Sequence, residues 1–199
     1  MTPRRLLKFG VHLVAVMIVS PLIVLALIER MLSKKCEIVF AIGAQALAPA
    51  PGLPGAFLRA AYYWATTRNT SWEIHVGFGS VLVHRAVTLR AHASMGAYCV
   101  IGHADIGEQV MLGSRVSIPS GKRQHLDDAG GLTTETTHFD TVRIGRATWV
   151  GEGAIIMADV GSGSIVSSGS VVIHAAPDQV IVAGNPARVI RELPVSAAK

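Results

Sequence analysis

The sequence predicts a mainly β protein, built as a stacked parallel β-helix behind an apolar N-terminal helix, and three observations carry that prediction. Aliphatic residues recur at every sixth position of the C-terminal half: Ile144, Val150 and Ile156 in one file, with Val142 and Ala154 two places ahead, then Val160, Val166 and Val172. Glycine follows the aliphatic at Gly145, Gly151 and Gly161. Neither a helix nor an ordinary strand has that period. A β-helix does, because three hexads close one triangular coil, aliphatics point inward, and small residues turn the corners. Each coil then buries its neighbour's face. The third observation is residues 9–28, an almost wholly apolar run.

Taken in order, residues 1–35 read as a membrane-associated helix. Arg4, Arg5 and Lys8 precede the apolar run, and Arg30, Lys34 and Lys35 follow it. About twenty apolar residues can span a bilayer. The run is longer than a signal peptide's core, and no small-residue cleavage site follows it directly. Equal basic flanks choose no orientation. Pro21 removes a backbone hydrogen bond mid-run, so both a re-entrant and a single-span helix remain open. His12 reads as an interfacial or packing residue.

Residues 36–70 read as a linker followed by an amphipathic helix. The turn-rich segment 49–55, PAPGLPG, is followed by residues 56–67 with Phe57, Ala60, Ala61 and Trp64 on one face. The cluster Tyr62, Tyr63 and Trp64 suits a lipid headgroup interface, and the helix serves equally well to cap the β-helix end.

From residue 71 to 199 the repeat governs. Val83, Leu89, Met95 and Ile101 are spaced by six, with Val81, Val87 and Cys99 two places ahead. The file slips by one and resumes at Ile106, Leu112 and Ile118, which predicts a shortened corner. Cys99 takes an inward position as a small buried hydrophobe; with Cys36 it gives neither a disulfide framework nor a zinc spacing. Residues 119–141 interrupt the repeat with a polar, Gly-rich stretch, and so long a loop inside a repeat domain is usually functional. His75, His84, His92 and His103 are expected outward or at corners, satisfied by solvent.

The 199 residues suffice for one domain and an appendage. Half are hydrophobic and the mean hydropathy is +0.45, the excess lying at the N-terminus. A net charge of +5 and a pI near 9.6 favour anionic neighbours such as phospholipid headgroups or lipid-linked phosphosugars. Nucleic acid is disfavoured, since no basic run is interleaved with aromatics.

The segment IGxxxWVG at residues 144–151, SGSVV at 168–172 and GNPARVI at 184–190, with a histidine at a set distance upstream, resembles the hexapeptide-repeat acyltransferases. Among these the maltose, galactoside and xenobiotic O-acetyltransferases are the most similar. The resemblance covers residues from about 71 to 193 and implies a left-handed β-helix, a homotrimer, and acetyl-CoA as cosubstrate with no metal. It also implies that the loop reaches a neighbouring subunit and that CoA lies in a groove between subunits.

Acyl transfer to a hydroxyl needs a base, donors for the developing oxyanion, and a groove for the carrier. His125 and His138 both stand in the loop. His125, followed by Leu126 and Asp127, precedes Trp149 at the interval found in the sugar acetyltransferases, and is the expected general base, while Asp127 and Asp128 read as surface charges, either of which is able to orient it. The resemblance assigns CoA contacts to Glu152, Ser168, Ile173, His174, Arg188 and Arg191, with Trp149 beside the pantetheine arm. Arg188 and Arg191 can hold CoA phosphates by charge-assisted bonds. No nucleophile motif of the G-x-S-x-G kind appears, which favours direct transfer in a ternary complex.

Three departures from the family pattern stand out. The chain is shortened between Asp159 and Gly161; His174 stands where relatives often have Lys; and acceptor-binding Asp and Asn residues have no counterparts. The expected acceptor is a saccharide or lipid-linked saccharide of cell-surface or exopolysaccharide synthesis. The catalytic domain is expected on the cytoplasmic side of an inner membrane, where acyl-CoA is found. Two alternatives stay open: a zinc enzyme like the γ-class carbonic anhydrases, whose Arg-x-Asp pair and paired-His segment are missing, and a catalytically inactive membrane-tethered scaffold.

Overall fold

The computed structural model describes residues 2–33, 35–122, 125–126, 129–134 and 139–194. The chain folds as a left-handed parallel β-helix of three flat faces, its first coil covered by three helices. Sheet A stacks β1 (His75–Val76), β4 (Ser94–Met95), β7 (Met111–Leu112), β10 (Trp149–Val150), β12 (Ile165–Val166) and β14 (Val180–Gly184) in parallel. Sheet B stacks β2 (Val81–Leu82), β5 (Val100–Ile101), β8 (Ser117–Ile118), β11 (Ile155–Ile156) and β13 (Val171–Val172). Sheet C stacks β3 (Thr88–Leu89), β6 (Ala104–Ile106) and β9 (Val142–Ile144), and bridges from Ile144 to Val160 and from Val160 to Ala176 carry it on. At the far end β15 (Ala187–Glu192) folds back antiparallel on β14 and covers the last parallel edge.

Most of these strands have two residues, far below what is stable alone. They hold because each sits between two others and because the second residue of each points inward. Val76, Met95, Leu112, Val150, Val166 and Val182 line sheet A, while Leu82, Ile101, Ile118, Ile156 and Val172 line sheet B, all buried. The corners bury hydroxyls, and each bonds the next coil: Ser80 Oγ donates to Gly96 O, Thr148 Oγ1 to Gly161 O, and Ser164 Oγ to Pro177 O. These three buried hydroxyls are thereby satisfied.

The turns repeat one backbone device. Gly79, Tyr98, Arg115, Gly153 and Gly169 at the corner from sheet A to sheet B all have positive φ, as do His92, Gln109, Ala147, Gly163 and Gln179 at the corner from sheet C to sheet A. Glycines elsewhere in the corners answer a different need, the closeness of the next coil. A Cβ on Gly145 would collide with the backbone of Gly161 and Ser162. Gly145→Ala is therefore expected to force two coils apart at a cost of about 1–3 kcal/mol, seen as a melting temperature lower by roughly 2–12 °C. Gly153→Ala meets open space and carries only the strain of φ +68°, so a smaller fall of the melting temperature is expected there.

The sixfold file is observed from Leu89 onward, with one correction before it. The inward residue of β2 is Leu82, 1% exposed, whereas Val83 is 40% exposed. An extra residue in the following corner lets Arg85 turn in and become buried. The shortened corner is real: Gly102 and His103 alone separate β5 from β6. Cys99 is buried.

The N-terminal third is more helical than expected. Besides α1 (Pro3–Leu32), residues expected as linker form α2 (Ile38–Leu47), and α3 (Gly52–Thr66) starts inside the turn-rich segment. Tyr62 and Tyr63 are fully buried, and so leave the expected headgroup interface; Tyr62 Oη donates to Phe40 O, and Tyr63 Oη accepts from Leu82 N. Trp64, the third member of that cluster, is 42% exposed. Arg59, fully buried in α3, donates to the carbonyls of Leu47, Ala48, Ala50 and Val76, tying the end of α2 to β1.

Helix α1 runs unbroken through Pro21 and packs a single stripe, His12, Ala15, Val19, Ile23, Ala26 and Glu29, inward at intervals of three and four. His12 lies against the rings of Trp64 and Trp72. Ion pairs fasten both ends of α1 to the β-helix end: Arg5 to Glu73 at 2.8 Å, and Glu29 to Arg85. Glu29 also accepts from the N–H groups of Val39 and Phe40, capping α2 from outside.

Candidate active site

Two corners flank sheet B, and the expected site residues divide between them. At the corner with sheet A, Glu152 and Ser168 occupy successive coils, both exposed, with Gly169 N donating to Glu152 O at 2.8 Å. Trp149, the outward residue of β10, is half exposed just before that corner. Glu152 faces Arg115 at 3.9 Å. At the corner with sheet C, Ile173 and His174 follow β13, and His174 and Arg188 line one cleft of about 200 Å3 with Val172, Val182 and Val189. Arg191 stands exposed on β15, opposite Ile181.

The loop of residues 119–141 leaves the same corner, two coils earlier, between β8 and β9. His125 is exposed on it, its carbonyl accepting from Thr133 N at 3.0 Å, and Leu126 pairs with Leu132 in an isolated antiparallel bridge. His125 borders a shallow cleft of about 440 Å3 with Leu132, Thr133 and Thr134. Asp127, Asp128 and His138 lie outside the described residues.

Lys122, which no motif singles out, fixes the loop's base: its Nζ donates to Ile173 O at 2.7 Å, across 51 positions. On the returning side Phe139 packs on the rings of His84 and His103, 4.8 Å from each, and those two rings meet at 4.5 Å. The expectation that these histidines face only solvent is thus corrected for His84 and His103. His84 Nδ1 also bonds Glu37 Oε2 at 2.8 Å. Among the described residues no group of three His, Cys, Asp or Glu side chains is placed to hold a metal ion.

Three titrating groups deserve a sign. Burial lowers the pKa of His103, nearby His84 lowers it further, and Glu37 opposes both. Burial at Glu37 acts to raise its carboxyl, but the bonds from His84 and the Arg85 N–H outweigh it and the net shift is downward. At Glu29 burial is likewise outweighed, by the Val39 and Phe40 N–H groups, Cys36 and Arg85. A histidine with a lowered folded pKa binds its proton more weakly when folded, so the unfolded chain gains protons first as pH falls. Stability contributed by neutral His103 is complete above its unfolded value near 6.5 and is lost as pH falls from there toward the lower folded value. The carboxylates lose theirs only below about 4.5. A melting temperature that falls between about pH 7.5 and 5.5, and falls less in His103→Asn, is the expected outcome.

The outward faces differ in character. Sheet C presents Thr88, Asp105 and Arg143 and is laced by Arg90–Asp105 at 3.1 Å and Arg143–Asp159 at 3.6 Å. Sheet A presents His75, Ser94, Met111, Trp149, Ile165 and Ile181, and sheet B presents Val81, Val100, Ser117, Ile155 and Val171, so both are mostly apolar. A surface depression of about 510 Å3 lies along the charged sheet C side, and neither His125 nor any expected CoA contact lines it.

Comparison with known proteins agrees with the architecture. No family model matches the chain. Serine acetyltransferase 2 of Arabidopsis thaliana is 31% identical over 116 residues, 53% of this chain and 32% of that protein. A Saccharomyces cerevisiae relative is 43% identical over 54 residues, 28% of its own length. The chain therefore spans about a third of the curated relatives it matches. Among solved structures, the maltose O-acetyltransferase from Clostridium difficile 630 is similar over 85% of this chain and 89% of its own, with TM-score 0.54 and 22% identity. A galactoside acetyltransferase in complex with coenzyme A is similar over 81% and 86%, with TM-score 0.54 and 19% identity.

Proposed function

We propose that the chain is an acetyl-CoA-dependent O-acetyltransferase that modifies a hydroxyl of a saccharide in cell-surface or exopolysaccharide synthesis, with His125 as general base. The observation that carries this reading is the loop: His125 rides on the long excursion from the β-helix, and Lys122 holds that excursion to the coil bearing Ile173 and His174. The acetyltransferase-like sequence and fold support the same chemistry.

In this reading the imidazole of His125 accepts the acceptor's hydroxyl proton as the oxygen attacks the acetyl carbonyl carbon. A backbone N–H stabilises the oxyanion. The C–S bond then breaks, and the CoA sulfur leaves with the proton that His125 returns. Trp149, on sheet A, and Glu152, Ser168, Ile173 and His174, at the two corners of sheet B, border the carrier, and Arg188 and Arg191 take its phosphates.

Three copies meeting through their apolar A and B faces would complete the groove, leaving the ion-paired C face to solvent, and a particle of three times 21.0 kDa is expected by light scattering in mild detergent. The membrane contact is assigned to the outer side of the helical layer. Leu7, Met17, Ile18, Val24, Leu25, Met31 and Leu32 of α1, Ile38 and Ile42 of α2, and Leu53 of α3 are exposed there. By length and composition α1 could cross a bilayer. Its packed stripe and the ion pairs at both ends favour a helix lying in the plane of the cytoplasmic leaflet instead.

The test is release of CoA thiol from acetyl-CoA by the purified full chain against a panel of free and lipid-linked saccharides. Acceptor-dependent release is expected. No release together with no CoA binding would favour an inactive scaffold.

A further inference from the structure

Where the last turn of α1 meets the first coil, a cavity of about 460 Å3 is lined by Arg30, Glu37, Arg68, Arg85, Ala86 and His103. Its size lies within the range of small-ligand sites, about 300–1,000 Å3. Its charge is unbalanced. Arg85 is committed at the base, bonded to Glu29 and to the carbonyls of Ala26 and Cys36, and Glu37 is engaged by His84 and the Arg85 N–H. Arg30 and Arg68 are both exposed and have no ion-pair partner among the described residues. Two arginines without an ion-pair partner among the described residues, lining one cavity with a third, suit a tetrahedral oxyanion, which a guanidinium can hold by paired N–H bonds.

The position of the cavity narrows the choice. It opens beside the end of α1, next to Met31 and Leu32, which are among the most exposed apolar residues of the chain. His103, which also lines it, packs on Phe139 from the loop that holds His125. The cavity thus lies between the lipid-facing helical layer and the proposed catalytic loop. We propose that it binds a phosphate or diphosphate carried on a lipid, and that such a phosphate anchors the acceptor saccharide beside the loop. This rests on the acetyl-transfer reading for its purpose, while the phosphate site itself can be tested alone.

The probe is farnesyl diphosphate, an isoprenoid diphosphate, titrated into the full chain in detergent and compared with the double variant Arg30→Ala/Arg68→Ala. Both side chains are exposed and unpaired, so the variant is expected to keep its circular dichroism and melting temperature. Binding to wild type, weakened about tenfold or more in the variant and by added salt, supports the proposal. Flotation on phosphatidylcholine vesicles with and without phosphatidylglycerol separates the sources. Loss confined to the isoprenoid diphosphate points to a lipid-linked acceptor, and loss of phosphatidylglycerol-dependent flotation points to phospholipid headgroups. Equal affinity in wild type and variant with unchanged flotation overturns the site, and so does displacement of the probe by CoA. Turnover of a water-soluble sugar by wild type is read separately: its absence counts against acetyl transfer and leaves the phosphate result standing.

Discussion

His125→Ala is expected to lower the rate of acetyl transfer about 10²- to 10⁴-fold, the usual contribution of a positioned acid–base group, while leaving CoA affinity near that of wild type. The side chain is exposed, and the structure ties His125 to the loop through its carbonyl, which accepts from Thr133 and survives the substitution. A folding defect is therefore not expected, and the melting temperature serves as the control. The loss should appear in kcat with little change in KM for acetyl-CoA. Transfer at the wild-type rate would remove His125 as base and return attention to His138.

Glu29→Ala is expected to have the largest effect on stability, about 3–5 kcal/mol, because it strands a buried arginine. Arg85 loses its carboxylate, Val39 and Phe40 lose the acceptor that caps α2, and Cys36 loses its contact. A melting temperature lower by roughly 6–20 °C, with faster proteolysis after the end of α1, is the measurement that checks it. Glu29→Gln should cost less, since the amide oxygen still accepts from one of the two N–H groups, which bond different oxygens of the carboxylate. A melting temperature unchanged in Glu29→Ala would mean that the helical layer does not depend on this pair.

The β-helix was legible because its physics is periodic: each coil needs an inward aliphatic at a fixed interval, so Ile144, Val150 and Ile156 announce it without help from anything distant. The register failed only where two apolar residues compete, at Leu82 and Val83, and the choice there is made by Arg85 turning inward to meet α1. Helix α2 escaped because residues 38–47 are apolar but for Gln45, and one polar residue displays no helical period. Tyr62 and Tyr63 look interfacial in sequence, yet each finds a buried partner for its hydroxyl, Phe40 O and Leu82 N. Long-range partners of this kind, like Lys122 and Ile173, leave no trace in local spacing. The division of Trp149, Glu152 and Ser168 from Ile173, His174 and Arg188 between two corners likewise follows from coil stacking rather than from any single motif.

The helical layer covers only one end of the prism, and this has a consequence for how tightly the protein would hold a bilayer. In the proposed trimer, copies that meet through their flat sides would share a rotation axis along the stack, so their oily plates would come out level and point the same way. One plate that adheres weakly and comes off readily would then rarely leave alone, since its neighbours keep it within reach of the surface, and the avidity of the assembly can exceed the affinity of one chain by orders of magnitude. Dilution or a disrupting substitution on the A or B face would be felt first as release from the membrane.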